Sequence, residues 1–163
     1  MIRQEADSLK KCLDIIGEHA LKDYPSECCG VVLASKSISA NPSQSYEVFL
    51  CTNIQDKMHA NEPDTYTRDS GTAYLIDPAE QTEVFISAKA EELQIVAFYH
   101  SHIDCGVYFS DEDKRLATWG DEPTFPDTAY IIVSVEKGKV ADSGIFIWDK
   151  AGRDFIKSPI RIK

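Results

Sequence analysis

The sequence predicts an α/β fold of three layers, a central β-sheet of mixed strand direction flanked by helices. Three observations carry that expectation. Helical and strand-like patterns alternate along the chain, which is the signature of helices packed on sheet faces. The stretch "LQIVAFYH" (93–100) is an almost unbroken apolar run with several β-formers, as expected of a central strand covered on both sides. The last third of the chain reads as hairpin-connected strands, so the sheet is not purely parallel.

The elements follow in order. From Ala6 to Leu21, Leu9, Leu13, Ile16 and Ala20 recur at spacings of three and four, an amphipathic helix pattern that "DYPSE" breaks with a proline. "CCGVVLAS" reads as a short buried strand and "SYEVFLC" as a second, joined by a Ser/Asn/Pro-rich turn. Thr52 to Gly71 is polar and aperiodic, with Pro63 inside it. A loop of that length is uncommon in a compact domain and is either functional or a passive bulge. "TAYLI" reads as a strand. "DPAEQTEVFISAKAEE" reads as a helix with an Asp cap and Pro at its first position. After the central strand, a helix opens at "SDED". "TAYIIVSVEKGKVADSGIFIWD" then gives two strands around a Lys-Gly turn, with a last strand within "RDFIKSPIRI". No repeat, low-complexity tract or boundary interrupts the chain, so 1–163 is expected to be a single domain.

Composition excludes some classes. At 163 residues the chain can bury a full core without disulfide support. A formal charge of −10 argues against a nucleic-acid partner, which wants clustered Lys and Arg. The five cysteines form no CxxC pair and leave an odd one out, which favours a reducing cytoplasm over a secreted scaffold. The N-terminal stretch interleaves charges with apolar residues, unlike a signal peptide. No run approaches the roughly twenty apolar residues of a membrane span. A soluble, cytoplasmic protein with no membrane partner is expected, and oligomeric state leaves no signal.

The chemistry concentrates at the end of the central strand. His100 and His102 are two apart, so on a strand both imidazoles point to one face. That is the nitrogen half of a metal site. Zinc takes neutral imidazole and carboxylate ligands, and a catalytic site keeps three protein ligands plus a water. The nearby acids are Asp104, Asp111, Glu112 and Asp113. A plainer account also fits: Ser110 and Asp113 form a capping box, and acids in a first helical turn suit the dipole. The two accounts are compatible, because a helix whose first turn carries Asp113 can aim that carboxylate back at the histidines.

The whole spacing is His-x-His, seven residues, then Ser-x-x-Asp, in "HSHIDCGVYFSDED". It resembles the JAMM motif of the MPN-plus (JAB domain) metalloprotease family. "YPSECCGVVLAS" resembles that family's upstream segment, P-x-E-x-C-G before an apolar strand, through Pro25, Glu27, Cys29 and Gly30. "AYLIDPAE" is similar as well, so the resemblance spans about Ala6 to Asp149. It implies a fold of the JAB/MPN kind, whose sheet architecture is like that of cytidine deaminases. It also implies a Zn2+ cofactor held by His100, His102 and Asp113, with Glu27 as general base and Ser110 as donor to the oxyanion.

Those roles agree with general chemistry. Zinc acidifies a bound water, a carboxylate in reach moves the proton to the leaving amine, and a hydroxyl donor holds the developing negative oxygen. Enzymes of the family cleave the bond after the glycine-rich C-terminal tail of ubiquitin-like proteins, and bacterial single-domain members act on ubiquitin-like sulfur carriers. The resemblance therefore implies a zinc peptidase or isopeptidase acting on such a tail. The tail is expected to lie along a sheet edge by strand addition, with Thr52 to Gly71 as a candidate flap or carrier-recognition segment.

One departure stands out. The family commonly has proline after the second histidine, where this chain has Ile103, then Asp104 and Cys105. Without proline the backbone there is less fixed. Cys105 is a candidate inhibitory fourth ligand or a bystander, and Asp104 competes with Asp113 for the metal. Cys28 and Cys29 are expected to flank Glu27, one buried and the other on the opposite face. Tyr99, Tyr108 and Phe109 read as packing or groove-lining aromatics. The alternative function is a catalytically silent MPN-type binding module, although such modules lose the metal ligands and all five signature residues are present here. A zinc deaminase needs a P-C-x-x-C run and a gluzincin needs HExxH; the chain has neither.

Overall fold

The computed structural model describes residues 2–35 and 46–159, with side chains described from residue 7 onward. The turn expected between the first two strands, the first residue of "SYEVFLC" and the end of "RDFIKSPIRI" lie outside the described residues. Helix α1 (Ile2–Asp23) is followed by strands β1 (Cys29–Ser35) and β2 (Tyr46–Cys51) and by helices α2 (Gln55–Asn61) and α3 (Pro78–Ala90). Then come β3 (Leu93–Ile103), α4 (Asp111–Ala117), the short pair β4 (Thr118–Trp119) and β5 (Glu122–Pro123), and β6 (Ala129–Glu136), β7 (Lys139–Asp149) and β8 (Asp154–Lys157).

The six long strands form one sheet in the order β2-β1-β3-β6-β7-β8. Only β3 and β6 run parallel, joined by the crossover that contains α4, and the other pairs are antiparallel. The sheet is mixed, as expected. Among the described residues, no helix is long and apolar enough to cross a membrane.

Two apolar cores make the three layers. On one face Cys12, Ile16 and Ala20 of α1 pack on Cys28, Val32, Tyr99, Ile131 and Val133. On the other, Val84 and Ala88 of α3 and Ala117 of α4 pack on Val31, Leu33, Phe98, Tyr130 and Ile132. Strands β1, β3 and β6 are therefore covered on both sides, which is why they read as apolar runs. Cys28 and Cys29 do point to opposite faces, but both are fully buried. Burial pushes the Cys28 thiol up to about 12, so it behaves as a small packing group. Tyr99 is the largest fully buried side chain. Its ring occupies the place where a side chain on Gly30 would begin, with a Cβ there only 2.5 Å from the ring and 2.2 Å from the Phe49 carbonyl.

Three local expectations differ from the structure. "TAYLI" makes no strand beyond a single bridge between Asn53 and Ile76. Its backbone groups are already used: the Asn53 side chain donates to the Ala73 carbonyl and accepts from the Leu75 N–H, and Ile54 N–H donates to the Leu75 carbonyl. The 52–71 segment is not wholly irregular, since it contains α2. Asn53 Oδ1 accepts from the Gln55 N–H at 3.0 Å and starts that helix, while only Gln55 of its residues is buried, too little apolar periodicity to read in advance. The central strand runs on to Ile103, so both histidines lie within it.

Candidate metal centre

The site stands at the C-terminal end of β3. Because strand side chains alternate, Phe98, His100 and His102 share the face that α3 and α4 cover, while Tyr99 and Ser101 face the other way. The two imidazole Nε2 atoms lie 3.1 Å apart. Asp113 reaches them from the first turn of α4, with Oδ1 3.1 Å from His100 Nε2 and Oδ2 3.4 Å from His102 Nε2. All three side chains are buried, and their ligand atoms fall within 4.8 Å of one another.

Hydrogen bonding determines which histidine nitrogens face inward. His102 Nδ1 lies 3.1 Å from the Gly106 carbonyl; a carbonyl only accepts, so Nδ1 donates there and Nε2 is the nitrogen turned to the cluster. His100 is fully buried, and burial lowers its pKa and favours the neutral ring against the pull of Asp113. Among the described residues its Nδ1 has no hydrogen-bond partner. Two imidazole nitrogens and a carboxylate, buried and closely converged, suit a metal ion.

Asp113 is held from both sides. Burial works against its charge, but His100, His102 and Ser110 outweigh it and keep the carboxyl well below the usual range. The capping box at α4 is complete: Asp113 N–H donates to Ser110 Oγ at 3.1 Å, and Asp113 Oδ2 accepts from Ser110 N–H at 2.8 Å. The Ser110 hydroxyl also donates to Oδ2, at 2.6 Å. The capping account and the ligand account thus describe one arrangement. The same bond occupies the hydroxyl proton that oxyanion stabilisation requires.

Of the other acids, Asp104 does not reach the cluster; its carboxylate meets Tyr24 and Lys137 instead. Asp111 is exposed, and Glu112 pairs with Arg115 at 2.6 Å. Cys105 is exposed and lines the pocket beside Tyr108, but is not among the three converging ligands.

Glu27, Ser110, Asp113 and His102 open onto a common pocket of about 170 Å³. Glu27 is 5% exposed. Burial, reinforced by the Asp113 charge, pushes its carboxyl up to about 9 against the opposing pull of Arg68. A cation held by the neighbouring cluster acts in the opposite sense and favours the carboxylate.

The frame around Glu27 is what sequence reasoning missed. Its N–H donates to the Ser70 carbonyl at 2.7 Å, and its carbonyl accepts from Asn53 Nδ2 at 2.8 Å. The next residue, Cys28, is locked to β3: its N–H donates to Ser101 Oγ at 2.8 Å and its carbonyl accepts from Ser101 N–H at 3.1 Å. Tyr74, read as a strand residue, stacks on His100. Asn53 and Ser70 carry no motif that would have marked them. Ser101 sits inside "HSH" and was legible only as a spacer.

Comparison with known proteins agrees with this geometry. Residues 9–148 match the family described as prokaryotic homologs of the JAB domain, and the chain belongs to that family. It is 30% identical to Desampylase of Haloferax volcanii over 79% of this chain and 77% of that one. Among solved structures, it resembles a protein from Desulfitobacterium hafniense with a TM-score of 0.65 and 22% identity, covering 94% of this chain and 90% of that one. A protein from Salinibacter ruber gives a TM-score of 0.57 and 25% identity over 92% and 86% of the two chains.

Proposed function

We propose that this chain, as a single domain over 1–163, is a zinc-dependent peptidase or isopeptidase. It cleaves the bond after the Gly-Gly tail of a ubiquitin-like or sulfur-carrier protein. The carrying observation is that Glu27 opens onto the same pocket as His102 and Asp113, two members of the buried His100–His102–Asp113 cluster. The similarity to a protein called Desampylase supports a ubiquitin-like substrate.

Bound zinc supplies Lewis acidity and an acidified water. The chain supplies the rest. His100, His102 and Asp113 would hold the ion through two imidazole nitrogens and one carboxylate. Glu27, backbone-clamped by Ser70 and Asn53, accepts a proton from the water and later delivers it to the departing amine. Ser110 donates to the substrate oxygen as negative charge grows, exchanging its bond to Asp113 for the new one. Tyr74 and Leu116 wall the pocket and exclude water.

The extended tail runs in a trough, not on a sheet edge. Strand β3 lies inside the sheet between β1 and β6, whereas the edges are β2 and β8. The metal pocket shares Arg68, Tyr74, Glu112 and Leu116 with an adjoining hollow of about 110 Å³. That path puts the end of the 52–71 segment over the tail. Cytoplasmic location suits five cysteines that form no disulfide.

The test is incubation of the zinc-loaded protein with Gly-Gly-ended ubiquitin-like proteins carrying C-terminal extensions, read by intact mass with a chelator control. Loss of mass after the second glycine supports the reading. Zinc binding without cleavage of any such substrate would favour the silent binding module instead.

A further inference from the structure

Asp104 stands where the chain departs from its motif, and its contacts are not those of a metal ligand. Its φ is +53°, in the left-handed region that Asp and Asn tolerate better than most residues. Its N–H donates to the Val135 carbonyl at 2.9 Å. Oδ1 accepts from the Lys137 N–H at 2.7 Å, and Oδ2 accepts from the Tyr24 hydroxyl at 3.1 Å. The Tyr24 ring also flanks the β6–β7 turn, 4.0 Å from where a side chain on Gly138 would begin. One carboxylate thereby joins the chain leaving α1, the loop leaving β3 and the turn between β6 and β7.

The placement matters because of what each partner adjoins. Tyr24 lies three residues before Glu27, and Asp104 two residues after His102. On the other side of Glu27, Cys28 is bonded to Ser101, between the two histidines. The segment carrying Glu27 is therefore fastened to the metal-bearing segment at both of its ends. Ser70 and Asn53 clamp the backbone of Glu27 itself; the ties at Tyr24 and Cys28 are the ones that set this segment against the strand carrying His100 and His102. Catalysis is sensitive to such placement at the level of ångströms.

We propose that Asp104 is a positioning residue, which with Tyr24 sets where Glu27 stands relative to His102 and Asp113. It supplies by side-chain bonding the restraint that proline supplies by ring closure in the related motif. This rests on the reading of Glu27 as general base.

The test compares Tyr24→Phe, Asp104→Gly, their combination and Asp104→Asn in the full chain loaded with zinc. Glycine keeps the positive φ and deletes the carboxylate, whereas asparagine keeps the conformation and can bond both partners. Tyr24→Phe and Asp104→Gly are expected to lower kcat by about 5–20-fold with KM and zinc content unchanged. The double variant should lose no more than Asp104→Gly alone, and Asp104→Asn should restore most of the rate. Losses that multiply, or that fall on KM or on zinc content, overturn the proposal. Hydrogen exchange reads the tie without any turnover. Tyr24→Phe should speed exchange in residues 24–29 and 103–106 together, and unchanged exchange there overturns the proposal even if no substrate is ever cleaved. Absence of cleavage by the parent protein would count against the functional reading alone.

Discussion

The Tyr74 ring lies against the His100 imidazole, with centroids 4.4 Å apart and planes inclined by only 21°. Among the described residues His100 Nδ1 has no hydrogen-bond partner, so this stacking stands where a metal-binding histidine would usually have an orienting bond. Tyr74→Leu should weaken zinc binding by about tenfold, within the range such supporting contacts carry. Tyr74→Phe, which keeps the stack, should bind as the parent does. Chelator competition measures both, and equal affinity for the leucine variant would remove stacking as the orienting device.

Glu27 makes stability depend on pH in the metal-free protein. Its folded-state value of about 9 stands above the ordinary 4.5. Between those values the folded state keeps a proton that the unfolded chain releases. The stabilisation is full below the unfolded value and is lost as pH rises through the folded one. After chelator treatment, Tm should fall from about pH 5 to about pH 9, and Glu27→Gln should flatten that slope. An unchanged slope in the variant would show that Glu27 is not the group responsible.

Replacing Glu27 should separate binding from turnover. Glu27→Gln should keep zinc content and lower kcat by roughly 10²–10⁴-fold, the usual contribution of a positioned acid or base. Metal analysis beside intact-mass kinetics decides it.

Asp113 closes the helix cap and also stands in the His100–His102 cluster, and different substitutions can part the two. Ser110→Ala removes the cap and should cost about 1 kcal/mol by denaturant unfolding, while zinc remains bound. Asp113→Ala should lose both the cap and most of the zinc. Asp104→Ala should leave zinc content unchanged, because that carboxylate faces Tyr24 and Lys137.

Asn53 should behave as part of the Glu27 frame. Its side chain bonds the Glu27 and Ala73 carbonyls and the Gln55 and Leu75 amides. Asn53→Ala strands these groups and should cost at least about 2 kcal/mol. It should also lower kcat without displacing zinc, and retained turnover in the folded variant would show that Glu27 holds its place without this clamp.

Much of the site was legible because its geometry is local. Two residues on one strand face need no tertiary information to be neighbours, so His100 and His102 followed from spacing. The Ser110 cap followed from "SDED", since a capping box closes within four residues. The central place of β3 was also foreshadowed, by an apolar run that requires cover on both faces. "TAYLI" misled because its β-forming side chains are buried while its backbone groups are taken by Asn53, a residue with no periodic signal.

By itself the sequence determined the His100–His102 pair, the face of β3 on which the two histidines stand and the capped helix that carries Asp113. Periodicity and capping act over a few residues and can be read along the chain. Only the tertiary structure decided that Asp113 and not Asp104 completes the cluster, that Tyr74 stacks on His100, and that Glu27 is held by Ser70 and Asn53 while its neighbour Cys28 is held by Ser101. Each of those is a contact between segments remote in sequence, made because burying the two apolar faces of one sheet leaves polar groups that must find partners across the fold.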